Sequence, residues 1–324
     1  MPERLNILVA ESADFNPSAR AQLESVGNVV FADLDRDALI SSLAQTDVLW
    51  VRLRNHIDKA VLDAAPRLKV LVTPTTGFTH IDMDEVERRG IHLVCLAGET
   101  EFLKSIRATA ELTLALTLAL LRQVPASTAH VQSGQWDRDQ FKGRELYNKT
   151  VGVLGYGRLG HIVAPVFQAF GSRVLVSDPN VSVADPGVEL VPLDQLLAES
   201  DIVTLHVNFI PQNRECFSRA CFDAMKDGAW LINTARGELV DEEALLAALK
   251  SGRLAGAALD VLQEEQTLDE GSRLNHPLIR YARESGRLLI TPHIGGCTWE
   301  SMETTELFMV DKLKAWIETT CLDS

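Results

Sequence analysis

Apolar residues in the first hundred positions fall into short continuous runs, separated by stretches in which they recur every three or four residues. The runs Leu5–Ala10, Val29–Ala32, Val48–Leu53, Leu68–Thr73 and His92–Leu96 have the length and β-branched content of strands buried on both faces. Segments near Pro17–Val26, Asp37–Ala44, Lys59–Ala65 and Met83–Arg89 carry the helical period. This alternation predicts a parallel sheet with helices on both faces, a small doubly wound domain. A second series begins later, with strands at Val151–Leu154, Arg173–Ser177, Ile202–Val207, Trp230–Thr234, Ala255–Leu259 and Leu288–Thr291 and helices between them. Six strands match a complete dinucleotide fold.

Between the two series, Glu101–Leu121 reads as one long helix, of the kind that crosses from one domain to another. Arg122–Asn148 is polar and irregular around Trp136, and reads equally as an arm in a subunit contact or as a surface excursion. Ser301–Ile317 is helical and lies beyond the last strand, so it is expected to pack back on the first domain. The expected domains are therefore residues 1–98 with 297–324, and residues 99–296.

At 324 residues, two cores are the prior expectation, and the 46% apolar content can fill both. The formal charge of −14 repels polyanions, and no Lys/Arg-rich tract offsets it, which argues against nucleic acid or an anionic membrane as partner. An anionic ligand must be captured locally. Five scattered cysteines without a CxxC pair disfavour a disulfide framework or a zinc site and suit a reducing cytoplasm. The start Met1-Pro-Glu-Arg lacks the pattern of a signal peptide, and the longest apolar stretch, Leu112–Leu121, is too short to span a bilayer.

The run Thr150-Val-Gly-Val-Leu-Gly-Tyr-Gly-Arg-Leu-Gly-His161 brings a strand to three glycines at the mouth of a helix. Gly155 permits a tight turn, Gly157 lets the backbone approach a phosphate, and Gly160 allows the helix to pack close to the strand. The helix N-terminus attracts the pyrophosphate of a dinucleotide. Asp178 ends the next strand 23 positions after Gly155, close to the spacing of a ribose-binding acid. The lesser alternative is a turn acid before Pro179.

Three further groups fall at the C-terminal ends of late strands, where open α/β sheets place ligands. Arg236, in Ile232-Asn-Thr-Ala-Arg-Gly237, offers a planar fork for a carboxylate. Asp260 and Glu265 follow the run Ala257-Ala-Leu, and His293 stands in Ile290-Thr-Pro-His-Ile-Gly-Gly296. Singly, each reads as an ordinary surface or structural residue. Together they supply what hydride transfer to a ketone requires: a cation for the substrate carboxylate, an acid active near neutral pH, and a carboxylate that favours the protonated imidazole.

The ordered set GYGRLG, the acid of VSDP, NTARGELVDEEAL, GAALDVLQEE and TPHIGG resembles the D-isomer-specific 2-hydroxyacid dehydrogenases, over nearly the whole chain. The resemblance implies an α/β chain of two doubly wound domains, a Rossmann NAD-binding domain and a flavodoxin-like substrate domain. It implies an enzyme, a homodimer, that interconverts a D-2-hydroxy acid and its 2-keto acid with NAD in a cleft between the domains. Carried over by position, Arg236 is the substrate-polarising arginine, His293 the acid/base and Glu265 its partner. Gly155, Tyr156, Gly157, Arg158, Leu159, Gly160, Asp178, Thr234 and Asp260 surround the cofactor, with Asp178 excluding the extra phosphate of NADP. No metal is implied.

The run Leu68–Asp82 resembles the family's substrate loop, whose backbone amides around the glycine cradle the carboxylate, with Thr75, Thr76 and Gly77 in that place; the threonines depart from the Ala-Gly-Val-Gly of many relatives. Val51-Arg-Leu-Arg54 resembles the arginine pair near the substrate phosphate of phosphoglycerate dehydrogenases, and Arg52 and Arg54 read equally as solvated charges at a strand end. Asn208 and Gln266 replace prolines common in relatives, without removing a chemical group. His206 reads as structural, and Cys297 as a small apolar neighbour of the site. Phosphite oxidation and an NAD-sensing, non-catalytic regulator stand as alternatives; Glu265 disfavours formate oxidation, whose enzymes carry glutamine there. No regulatory module is expected after Ser324.

Overall fold

The computed structural model describes residues 4–322 and divides into two compact units. Residues 1–105 with 298–324 form the first, and residues 106–297 the second.

The first unit holds five strands, β1 (Leu5–Val9), β2 (Gly27–Phe31), β3 (Val48–Trp50), β4 (Val70–Thr73) and β5 (His92–Cys95). All neighbours are parallel, in the order β2-β1-β3-β4-β5. This is the flavodoxin-like doubly wound order, with its switch point between β1 and β3. Val48, Leu49 and Trp50 are wholly buried, as strands covered on both faces require. The helix Trp299–Leu322 packs on this unit: Lys314 Nζ donates to Gln22 Oε1 at 2.7 Å, and Trp316 stacks on His92 with ring centroids 5.6 Å apart.

The second unit holds β6 (Thr150–Leu154), β7 (Arg173–Ser177), β8 (Val188–Leu190), β9 (Ile202–Leu205), β10 (Ala229–Asn233), β11 (Leu254–Leu259) and β12 (Leu288–Ile290). The order β12-β11-β10-β9-β6-β7-β8 is the dinucleotide-binding arrangement with one strand added at the far edge, all parallel. Alternate residues feed opposite cores. Leu231, Ala257 and Leu259 pack with Phe217, Phe222 and Leu245, whereas Ile232 and Ala258 pack with Val163 and Phe167 of the helix Arg158–Ala169.

Three details differ from the sequence reading. The six strands expected here are seven, because β8 is a three-residue edge strand too short to register as a period. The single helix expected over Glu101–Leu121 is two, Thr100–Leu103 and Ala108–Leu121, and the boundary between the units falls in the interruption. Ser105 Oγ bonds back to Phe102 O at 2.8 Å there, offering that carbonyl an alternative to a continued helix. The irregular stretch Arg122–Asn148 contains a helix, Val124–Gln132, with no buried residue.

Candidate active site

The glycine turn lies between β6 and the helix Arg158–Ala169, at the switch point where β6 separates β7 from β9. Gly155 has φ +91°, and a Cβ there would stand 2.6 Å from His206 O. A Cβ on Gly160 would stand 2.4 Å from Gly155 O, so the helix rests directly on the turn. Beside Gly157, by contrast, nothing lies within 4 Å of where a Cβ would be. Two glycines close the turn and the third leaves room above the helix mouth, which fits a pyrophosphate.

Asp178 follows β7 half-buried, its Oδ2 accepting from Tyr156 N at 2.8 Å and its Oδ1 from Asn180 N at 2.9 Å. It is therefore fastened to the glycine turn itself. Tyr156 is buried, its hydroxyl donating to Asp185 Oδ2 at 2.7 Å; burial and that carboxylate push the phenol up to about 12. Burial pulls the Arg158 guanidinium below its usual value, and Arg158 Nη1 donates to Ile106 O at 3.3 Å. Leu159 is partly buried against the core, and Thr234 is buried with its hydroxyl 2.8 Å from that of Thr113.

At the ends of β10, β11 and β12 the chain gathers Arg236, Asp260, Glu265 and His293. Asn233 shapes the first turn: its Nδ2 donates to Arg236 O at 2.9 Å and its Oδ1 accepts from Ala235 N at 3.0 Å. Burial lowers the Arg236 pKa, opposed by the attraction of Glu265 and Glu238. Nδ1 of His293 is hydrogen-bonded to Glu265 Oε1, which turns the ring's other nitrogen away from the carboxylate. Glu265 is in turn held by Leu262 N, which donates to its Oε2 at 3.0 Å.

Asp260 anchors the histidine turn. Its Oδ1 accepts from Thr291 Oγ1 at 2.6 Å and from Ile294 N at 2.8 Å, its Oδ2 accepts from Gly295 N at 2.7 Å, and its carbonyl accepts from His293 N at 2.8 Å. The residue is only 1% exposed, and burial pushes its carboxyl up against the pull of those bonds. These contacts hold His293 at φ +54°, while Glu264, beside its partner, stands at φ +51°. Left-handed backbone at a non-glycine residue costs about 1–2 kcal/mol and persists where surrounding bonds over-determine it.

The other expected substrate residues belong to the first unit. Arg52 forms an ion pair with Glu306, a residue 1% exposed, and its Nη1 donates to Ala13 O at 2.9 Å. Arg54 Nη2 donates to Asp33 Oδ1 at 3.1 Å and to Ala10 O at 3.3 Å. Both arginines lie beyond the end of β3 and are engaged by carboxylates of their own unit. Thr76 and Gly77 lie in the loop after β4, where Thr75 Oγ1 donates to Gly77 O at 2.9 Å.

Sequence reasoning placed Asp260 beside the cofactor and missed its grip on the turn of His293, together with Asn233, Glu238 and Glu242. An acid ending a strand that reads Gly-Ala-Ala-Leu was the available signal for the first, since a buried carboxylate needs donors nearby. For the others the pattern held none.

A parallel sheet of this order, with a glycine turn at its switch point, defines a doubly wound dinucleotide-binding protein. Residues 114–295 match the family profile described as D-isomer specific 2-hydroxyacid dehydrogenase, NAD binding domain. The D-3-phosphoglycerate dehydrogenase of Methanocaldococcus jannaschii is 37% identical over 297 residues, covering 90% of this chain and 54% of that protein. The chain thus spans about half the length of that relative. The hydroxypyruvate reductase of Thermotoga maritima is 33% identical over 86% of this chain and 88% of its own. Among solved structures, D-lactate dehydrogenase from Aquifex aeolicus complexed with NAD and lactic acid aligns with a TM-score of 0.81 at 28% identity, covering 97% of this chain and 96% of that one. The chain belongs to the D-isomer specific 2-hydroxyacid dehydrogenase family, and its second unit carries that family's NAD-binding domain, so NAD is its cofactor. Among the described residues no single helix is long and apolar enough to cross a membrane.

Proposed function

We propose that this protein interconverts a D-2-hydroxy acid and its 2-keto acid with NAD, and that Arg236, Glu265 and His293 carry the chemistry. The hydrogen bond between His293 Nδ1 and Glu265 is the observation that supports this reading most strongly. Bound NADH supplies the hydride that the carbonyl carbon accepts. His293 gives the carbonyl oxygen its proton, from the ring nitrogen that Glu265 leaves unengaged, and in oxidation takes the same proton back. Glu265 fixes the orientation of the ring. Arg236 binds the substrate carboxylate and polarises the carbonyl, a task for which a half-buried guanidinium is suited because water competes for it less.

In the same reading, the first turn of the helix Arg158–Ala169 binds the pyrophosphate and Asp178 the adenosine ribose, disfavouring NADP by charge repulsion. Thr234 and Asp260 border the nicotinamide. The first unit binds substrate through Thr76 and Gly77, with Arg52 and Arg54 as candidate contacts to a phosphorylated acid such as the relatives' names suggest. A homodimer in the cytoplasm completes the proposal, with Arg122–Asn148 as the dimer arm: Val124, Val131 and Trp136 expose apolar surface there, Trp136 being 87% exposed.

A panel of 2-keto acids, phosphorylated and not, with NADH and NADPH as alternative donors, tests the reading by absorbance of the reduced cofactor. Turnover of at least one acid, with NADH preferred, is the expected result. Inactivity throughout, alongside tight NADH binding, contradicts it and favours a non-catalytic NAD sensor.

A further inference from the structure

The loop that carries Glu265 is held by carboxylates at three successive amides. Leu262 N donates to Glu265 itself, Gln263 N to Glu242 Oε1 at 2.9 Å, and Glu264 N to Glu238 Oε1 at 3.4 Å. Glu238 lies in the turn after Arg236, and Glu242 opens the helix Glu242–Ser251 that follows. Both therefore reach the loop from the stretch of chain that presents the guanidinium. The two segments also touch directly, since a Cβ on Gly237 would stand 2.0 Å from the carbonyl carbon of Leu262. Gln263 adds a further tie, its Nε2 donating to Val240 O at 2.6 Å and to Glu215 Oε1 at 3.2 Å.

Glu242 differs from the other carboxylates in what lies behind it. Its Oε2 faces His276 Nε2 at 3.2 Å, with the two side chains 17% and 12% exposed. Among the described residues, the other ring nitrogen of His276 is buried without a hydrogen-bond partner. Glu242 and His276 share the wall of a cavity of about 420 Å³ with Lys250, Glu243, Leu246 and Pro277, which gives water a route to the pair. The charges of Glu238 in the turn after Arg236, of Glu265 in the loop and of Glu215 all repel a charge on Glu242. Burial, reinforced by their repulsion and opposed by the Gln263 amide, pushes the Glu242 carboxyl up to about 7. Burial pulls His276 down, so the histidine is a poor counter-charge.

We propose that Glu242 is a positioning residue that holds the loop of Glu265 in register with the turn of Arg236, and that this hold loosens when Glu242 takes up a proton. The proposal rests on the reading of Glu265 and Arg236 given above. As a carboxylate, Glu242 accepts a charge-assisted bond from Gln263 N. As a neutral acid it is a weaker acceptor, and its proton faces His276 instead. The loop is therefore firmest above neutral pH.

Hydrogen–deuterium exchange of the peptide spanning residues 262–264, read by mass spectrometry on the intact protein at pH 6 and pH 8 and corrected for intrinsic rates, tests this. In E242A the peptide exchanges about tenfold faster than in the parent at pH 8, the loss of a bond to a charged group. The parent shows slower exchange at pH 8 than at pH 6, and E242Q, whose amide oxygen accepts at any pH, shows no such step. In the accompanying kcat/KM measurement at pH 8, E242A loses about tenfold with NADH affinity retained, while E242Q keeps most of the parent's value. Exchange in E242A equal to the parent's, or a pH step that survives in E242Q, overturns the proposal. E242Q decides the matter should E242A fold poorly. Because exchange is read without substrate, absence of turnover would count against the proposed activity alone.

Discussion

Gly155 meets His206 at the switch point of the second sheet, its α-carbon turned so that a Cβ would lie 2.6 Å from the histidine's carbonyl oxygen, with its backbone at φ +91°. His206 N in turn donates to Leu154 O at 2.7 Å. The glycine turn is thus built against the end of β9. Gly155→Ala adds both left-handed strain and a clash with backbone that has nowhere to go, so it is expected to cost about 2 kcal/mol or more of stability. It should weaken NADH binding at least tenfold. Thermal unfolding and fluorescence titration of NADH on the same sample read the two effects.

The ring of His206 makes the second unit sensitive to acid. It is buried, with Nε2 2.9 Å from Thr204 Oγ1, and burial lowers its pKa to about 4 from an unfolded value near 6.5. A folded-state value below the unfolded one means that the unfolded chain binds more protons between those limits. The stability contribution is present above pH 6.5 and is lost as the pH falls through 4, on the order of 3 kcal/mol in all. Denaturant midpoints measured from pH 7 to pH 4 should therefore fall, and H206Q should show a shallower slope whatever its absolute stability. An unchanged slope in H206Q would assign the acid sensitivity elsewhere.

In the first unit, the pairing of Arg52 with Glu306 has an energetic consequence independent of substrate. Burial raises the Glu306 carboxyl, while Arg52 and the Asn16 amide, which donates to Oε2 at 2.8 Å, favour its ionised form. Arg52→Met leaves a buried carboxylate without its cation and should destabilise the protein by about 3 kcal/mol. Adding Glu306→Gln to that variant should recover much of the loss, because the residual charge is gone. Chemical denaturation of the two variants checks the sign of the coupling.

The fold was legible because parallel strands buried on both faces leave continuous apolar runs, and every strand of that kind, from Leu5–Val9 to Leu288–Ile290, announced itself. Val188–Leu190 did not, being a three-residue edge strand with Glu189 at its centre. The break at residues 104–107 was hidden by the helical period on either side of it, and a single serine hydroxyl marks it. The candidate site was legible where chemistry demands an uncommon residue at a strand end, as with Arg236 and His293. The contacts that hold those groups were not, because Asp260, singled out only as a neighbour of the cofactor, and Glu238 and Glu242 act on backbone amides of distant loops, and such contacts have no sequence period.

Turnover by His293→Ala, measured with NADH and a 2-keto acid that the parent reduces, bears most directly on the account. A general acid supplies about 10²- to 10⁴-fold of rate, so kcat should fall at least a hundredfold while the dissociation constant of NADH stays within about twofold of the parent's. A variant that reduces the acid as fast as the parent would show that the imidazole held by Glu265 and Asp260 is not the proton donor.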